Sequence, residues 1–202
     1  ETEGQDAPPR KTDATLSPLF PMIIRWIWTN GTTKKIRTHL MISKADNIAE
    51  YVLKIWQIED LIRAFHDDEA MHQNAFMSEI RMMMEREGKM EKGHVAVSMV
   101  AVSEMQDLHE ELYREDASYR GAWLQLMPAM TILKAKTDRP TMSDMEICLT
   151  FLYEIMLLRM QKKDISAATT ATQQQVSQLL RHISMAYYAD HHPIQDDNQA
   201  AI

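Results

Sequence analysis

The side chains best equipped for chemistry in this chain are a few acids, histidines, an out-of-place arginine and one thiol. Glu69 and His72 form a Glu-x-x-His, which on a helix puts a carboxylate and an imidazole on one face. Di-metal sites in helical bundles use two such pairs plus two glutamates from other helices. Glu69 and His72 read as the lone pair of this kind, so no metal is expected there. Asp190, His191 and His192 sit near the end of the chain and could meet a metal only incidentally. Without a cysteine cluster a structural zinc is excluded. Cys148, the single cysteine, lies between apolar neighbours that raise a thiol pKa and blunt its reactivity. No Gly-x-Ser-x-Gly is present. The run GKMEKGH, residues 88–94, is no phosphate loop, because Gly93 is followed by His94 and Val95 rather than by Lys and Ser or Thr. No cofactor follows from any of these residues.

Sharper signals come from charges on apolar faces. Glu59 falls inside the apolar stripe of the first expected helix, and Asp60 points away from it. In the run MEICLTFLYEIMLLRM, Met145 to Met160, the residues Ser143, Glu146, Thr150, Glu154 and Gln161 share a narrow polar seam. Arg159 lies opposite that seam, among Cys148, Leu152 and Ile155. A buried carboxylate and a buried guanidinium are expected to find each other. We therefore expect Glu59 to pair with Arg159, with Arg63 and His109 as further partners. Such a cluster either fixes helix register or lines a pocket.

The elements that position these residues are helical. After Met41 only Gly88, Gly93, Gly121, Pro128, Pro140 and Pro193 punctuate the chain, between long segments of 3.6-residue periodicity. The pattern predicts six helices, at about 43–66, 67–87, 95–114, 118–136, 143–162 and 167–189. They should form a mainly antiparallel bundle around the fifth, which is apolar almost all round. Ser143 and Glu146 read as a capping box, Gly88 as a helix stop and Ser166 as the N-cap of the last helix. Trp123, Leu126, Met127, Met130 and Leu133 should face the core from the fourth helix. Pro128 should kink or split that helix by removing a hydrogen bond and crowding the carbonyl of Leu124.

Residues 1–40 differ from the rest: they hold four of the seven prolines and two of the five glycines. They read as a disordered or extension segment ahead of Met41, with 41–189 as the helical domain and 190–202 as a disordered tail. The alternative for the basic, apolar stretch around Leu19 to Trp28 is a surface-anchoring arm. Seven basic and four acidic side chains lie in residues 1–44, leaving fifteen basic against twenty-five acidic beyond them. So acidic a body is a poor partner for nucleic acid. No segment is apolar for long enough to span a membrane. The lone cysteine fits a reducing compartment, and the location is expected to be cytoplasmic. Seventeen methionines suit either irregular core gaps or an adaptable binding surface.

Three segments carry a family resemblance: NIAEYVLKIWQIEDLIRAF at 47–65, EREGKMEKGH at 85–94 and EICLTFLYEIMLLRMQKKDIS at 146–166. In that order they resemble a bacterial family of uncharacterised all-helical proteins, domain of unknown function 4924, over roughly Met41 to Ala189. The resemblance implies a helical fold and no activity, cofactor or catalytic residue. Two functions stay open. One is a protein-interaction or scaffold domain without catalysis, with self-association through methionine-rich and aromatic surface on the second and fourth helices as one form of it. The other is an enzyme or small-ligand binder with a pocket near Glu59, Arg63, His109 and Arg159. An exposed apolar patch of several hundred Å² marks the first, and polar groups converging on a concave pocket mark the second.

Overall fold

Among the described residues there are six helices, close to the expected segments: α1 Ile48–Ala64, α2 Ala75–Arg86, α3 Ala96–Glu115, α4 Ala117–Lys136, α5 Asp144–Met160 and α6 Ala167–His191. They come from a computed structural model that describes residues 43–65, 74–137 and 139–193. The expectations for residues 1–42, for Glu69 and His72, and for the tail beyond Pro193 fall outside those residues. Within them, helix α2 starts after an Asn74 cap rather than near Asp67, and α6 runs two residues past Ala189.

Five helices begin on a local cap. The side chains of Asn47, Asn74, Asp116, Ser143 and Ser166 each accept a hydrogen bond from a backbone N–H two or three residues ahead. Only half of the expected capping box forms. Ser143 accepts from the Glu146 N–H, but the Glu146 carboxylate turns to Arg139 Nη2 at 2.8 Å. Helix α2 closes on Gly88 at φ 65°, with Gly88 N–H donating to Glu85 and Lys89 N–H to Met84. That is a Schellman turn, and its left-handed residue is the glycine it favours. Helix α5 closes in the same way on Lys162, at φ 54°.

Helix α4 is a single element through Pro128 and does not split. Both Pro128 and Leu124 face solvent, so the carbonyl that loses its partner lies on the outer side, where the loss is cheapest. Helix α5 packs on α1, α3, α4 and α6, yet α3 and α6 each also touch four helices. The centre is therefore shared. Met145 to Leu149 are buried on every side, whereas Glu154 and Arg159 further along are exposed. Arg159 meets Gln173 while Leu152 lines a groove beside Leu180, the register of an antiparallel α5–α6 pair.

Two apolar clusters result. The larger runs through α1, α3, α4, α5 and α6. The smaller joins Ile55, Ile58, Leu61 and Ile62 of α1 to Met77, Ile80 and Met84 of α2, with Val95 closing it. Helix α1 serves both, sending Val52 and Trp56 to the first and the Ile58 side to the second. Methionine fills gaps in each, Met84 and Met105 being fully buried.

Candidate functional site

Glu59 is completely buried, and its oxygens are shared between two segments. Oε1 accepts from the backbone N–H of Val95 at 2.9 Å, and Oε2 lies 2.6 Å from His94 Nδ1. A carboxylate can only accept, so the imidazole carries its proton on Nδ1. Arg63, one turn along α1, stands 3.8 Å from the same Oε2. Its guanidinium also donates to Asp60 Oδ1 at 2.9 Å, to the Lys89 carbonyl at 3.0 Å and to the Gly93 carbonyl. Asp60 in turn accepts from the Tyr153 hydroxyl at 2.6 Å. Burial pushes that phenol far above its ordinary range, so it keeps its proton and acts as the donor. Trp56 stacks on His94 at 4.1 Å between ring centroids and meets Tyr153 edge-on at 5.9 Å.

The cluster caps α3 from a distance. Val95, at the start of that helix, supplies no side-chain cap. Instead Glu59 holds the Val95 N–H, and Glu87 holds the Ala96 N–H at 2.7 Å. Two carboxylates therefore sit at the positive end of the α3 dipole. Helix α1, the 87–95 connector, α3 and α5 are joined at this one place. Trp56 Nε1 and Arg63 Nε find no acceptor among the described residues; the remaining contacts are taken by the chain itself.

The four residues singled out from sequence do not converge. Glu59 and Arg63 come together. Arg159 does not reach them: it is exposed on α5 and donates to Gln173 Oε1. Facing Cys148 and Ile155 on a helical wheel was not enough to bury it, because its long stem carries the charge outward near the helix end. His109 is buried in the other cluster, where its Nδ1 lies 2.7 Å from the Tyr119 hydroxyl and its ring 4.4 Å from Trp123. Desolvation lowers its pKa from the ordinary 6.5, while burial drives that of Tyr119 up, so the phenol donates to a neutral imidazole. Burial also pushes the Cys148 thiol up to about 12, in keeping with its apolar setting.

Sequence reasoning passed over His94, Trp56 and Tyr153. His94 closes a second Glu-x-x-His with Glu91, but in a turn rather than on a helix, and it serves Glu59. Among the described residues no cluster of His, Cys, Asp or Glu has the geometry of a metal site. A concavity of about 650 Å³ between α1 and α6 is lined by Leu53, Leu152, Leu180, Met185 and Tyr188 among others and by none of the four residues.

The outer face of α4 is of the opposite character. Leu124 is 55% exposed, Ile132 57% and Met127, expected in the core, 38%. Gly121, Leu124, Pro128 and Ile132 follow one another at helical spacing along that side. Polar groups on and beside it are bonded within the chain: Arg120 donates to the Tyr113 and Arg114 carbonyls, Thr131 to the Met127 carbonyl, and Lys134 binds Asp144 at 2.6 Å.

Fold and site together define an all-helical bundle in which the fully buried carboxylate of Glu59 locks helices together. The three segments 47–65, 85–94 and 146–166 supply the side chains of that lock. The model of the family described as domain of unknown function DUF4924 matches residues 41–193, and the chain belongs to this family. No curated protein and no solved structure matches the chain. Among the described residues no helix is long and apolar enough to cross a membrane.

Proposed function

We propose that this chain is a cytoplasmic protein-interaction or scaffold domain that works by docking a protein on the outer face of α4, without catalysis. The carrying observation is that face: three large apolar side chains, Leu124, Met127 and Ile132, exposed on a helix with no acidic residue from Ala117 to Lys136. Contiguous apolar surface on a soluble domain marks a contact site. The rival, a ligand pocket built on Glu59, Arg63, His109 and Arg159, loses support because those groups lie in three different places. Glu59 and Arg63 are occupied by backbone groups and by each other.

The test is recovery of partners from native cells with the full chain and with Leu124→Glu. Proteins recovered with the first and lost with the second, at unchanged helicity and melting temperature, support the reading. An identical set from both sinks it.

A further inference from the structure

His109 and Trp123 are buried rings whose N–H groups stay open. His109 is 5% exposed and Trp123 4%, with their ring centroids 4.4 Å apart. Tyr119 donates to His109 Nδ1, so the neutral imidazole carries its proton on Nε2. That N–H and the Trp123 Nε1–H have no acceptor among the described residues. Neither nitrogen belongs to the unpaired atoms sealed from solvent, which are Trp56 Nε1, Arg63 Nε and Ser184 Oγ. Both rings line one concavity of about 340 Å³ at the α3–α4 corner, together with Glu110, Tyr113 and Arg114. With so little of either ring accessible, the open N–H edges are the edges that face this hollow.

Donors outnumber free acceptors around it. The Tyr113 hydroxyl has no partner, and Arg114 spends Nε on the Glu110 carbonyl while both terminal nitrogens stay unpaired. Glu110, the acidic member of the lining, turns back along α3 to accept from Gln106 Nε2 at 3.1 Å. Arg120 donates to the Tyr113 and Arg114 carbonyls, so those acceptors at the end of α3 are taken. The charges of Glu110 and Arg114 oppose each other, which disfavours a multiply charged anion and leaves the open donors to select the ligand. Several donors converging on an aromatic-walled hollow suit a singly charged group rich in lone pairs, and that is a carboxylate. A cation would have to bind ring faces, whereas here the positive N–H edges point inward.

We propose that this corner binds a small aromatic carboxylate, its oxygens held by His109 Nε2–H, Trp123 Nε1–H and the Arg114 guanidinium, and its ring laid against Tyr113. The site goes beyond the interaction reading above and does not depend on it. Tyr113 offers the free ring face, since it is 37% exposed and its ring lies tilted 6.4 Å from that of His109. A donor left without an acceptor in a buried setting is costly, and a carboxylate supplies the missing acceptors to both rings at once.

Titration of the ¹⁵N-labelled full chain with sodium benzoate at constant ionic strength, followed by side-chain N–H resonances, tests it. The expected result is a saturable shift of the Trp123 indole N–H and the His109 ring, with the Trp56 indole unmoved. The dissociation constant should be about 1 mM, as suits a ligand of so few atoms. Trp123→Phe keeps the ring but removes the N–H, and should raise that constant about tenfold. Arg114→Gln alters an exposed side chain, leaves the fold intact and should do the same. Benzamide, of the same shape without the charge, should bind about tenfold more weakly still. No saturable shift at Trp123 overturns the proposal, as does benzoate binding that Arg114→Gln leaves unchanged. Benzyltrimethylammonium shifting Trp123 where benzoate does not would overturn it too, and make the corner a cation site.

Discussion

The Glu59 cluster and the outer face of α4 reverse the usual placement of polar and apolar groups. At Glu59 a carboxylate with no exposure is surrounded by a backbone N–H, an imidazole and a guanidinium. On α4 a leucine and an isoleucine are more than half exposed, with no helix of the described residues in front of them. The first region is closed and the second open. Burying a charge is expensive unless its hydrogen bonds are made, and here they are made by groups from α1, the 87–95 connector and the start of α3. Exposing leucine costs little in an isolated chain, so that surface is free to serve whatever covers it.

If the closed region is structural, Glu59→Ala should be the most damaging change, lowering unfolding free energy by about 3 to 5 kcal/mol in denaturant titrations, because it strands His94, Arg63 and the α3 N-terminus together. Glu59→Gln, which keeps an acceptor for the Val95 N–H, should lose less. A Glu59→Ala protein as stable as the parent would erase the contrast. Tyr153→Phe comes next: it removes the donor to Asp60 and should cost about 1.5 to 3 kcal/mol, the range for a hydrogen bond to a charged group.

His109 stands between the two regions, on α3 with its ring against Trp123 of α4. Burial holds its pKa below the ordinary 6.5 in the folded chain. Between that lowered value and about 6.5 the unfolded chain binds a proton that the folded chain does not, so stability is fully present above about 6.5 and declines as pH falls through this window. Melting temperatures of the parent and His109→Gln across pH 5 to 8 check the sign: the parent should lose more on acidification. An equal loss in both would remove His109 as the cause.

How much of this was legible in the sequence follows from the range of the interactions. Local signals worked where the physics is local: Ser143 and Ser166 cap the next turn, and Gly88 adopts the positive φ that ends α2. Periodicity exposed Glu59 as misplaced, since a charge on a buried stripe is visible from spacing alone. Its partners were not legible. Helix α3 has no side-chain cap of its own, and the groups that cap it lie nine residues before Ala96 in Glu87 and on another helix in Glu59, a distance set only by the fold. Arg159 misled because a wheel assigns a face to the Cα, whereas a long side chain near a helix end chooses its own endpoint. Met127 misled for a related reason: a helix apolar on all sides does not announce which side is outer.

The smallest expected effect sharpens the comparison most. Leu124→Glu puts a full charge where an apolar side chain stood, a change that in the closed region would unfold the protein. On α4 that side chain is more than half in water and the helix carries no acidic residue to repel a new one, so folding free energy of the isolated chain should move by no more than about 0.5 kcal/mol. Removing a charge at Glu59 and adding one at Leu124 should therefore differ by several kcal/mol in the same denaturant assay. A destabilisation at Leu124 approaching that at Glu59 would mean that the α4 face is already packed in the isolated chain, and the open region would have to be described as part of the core.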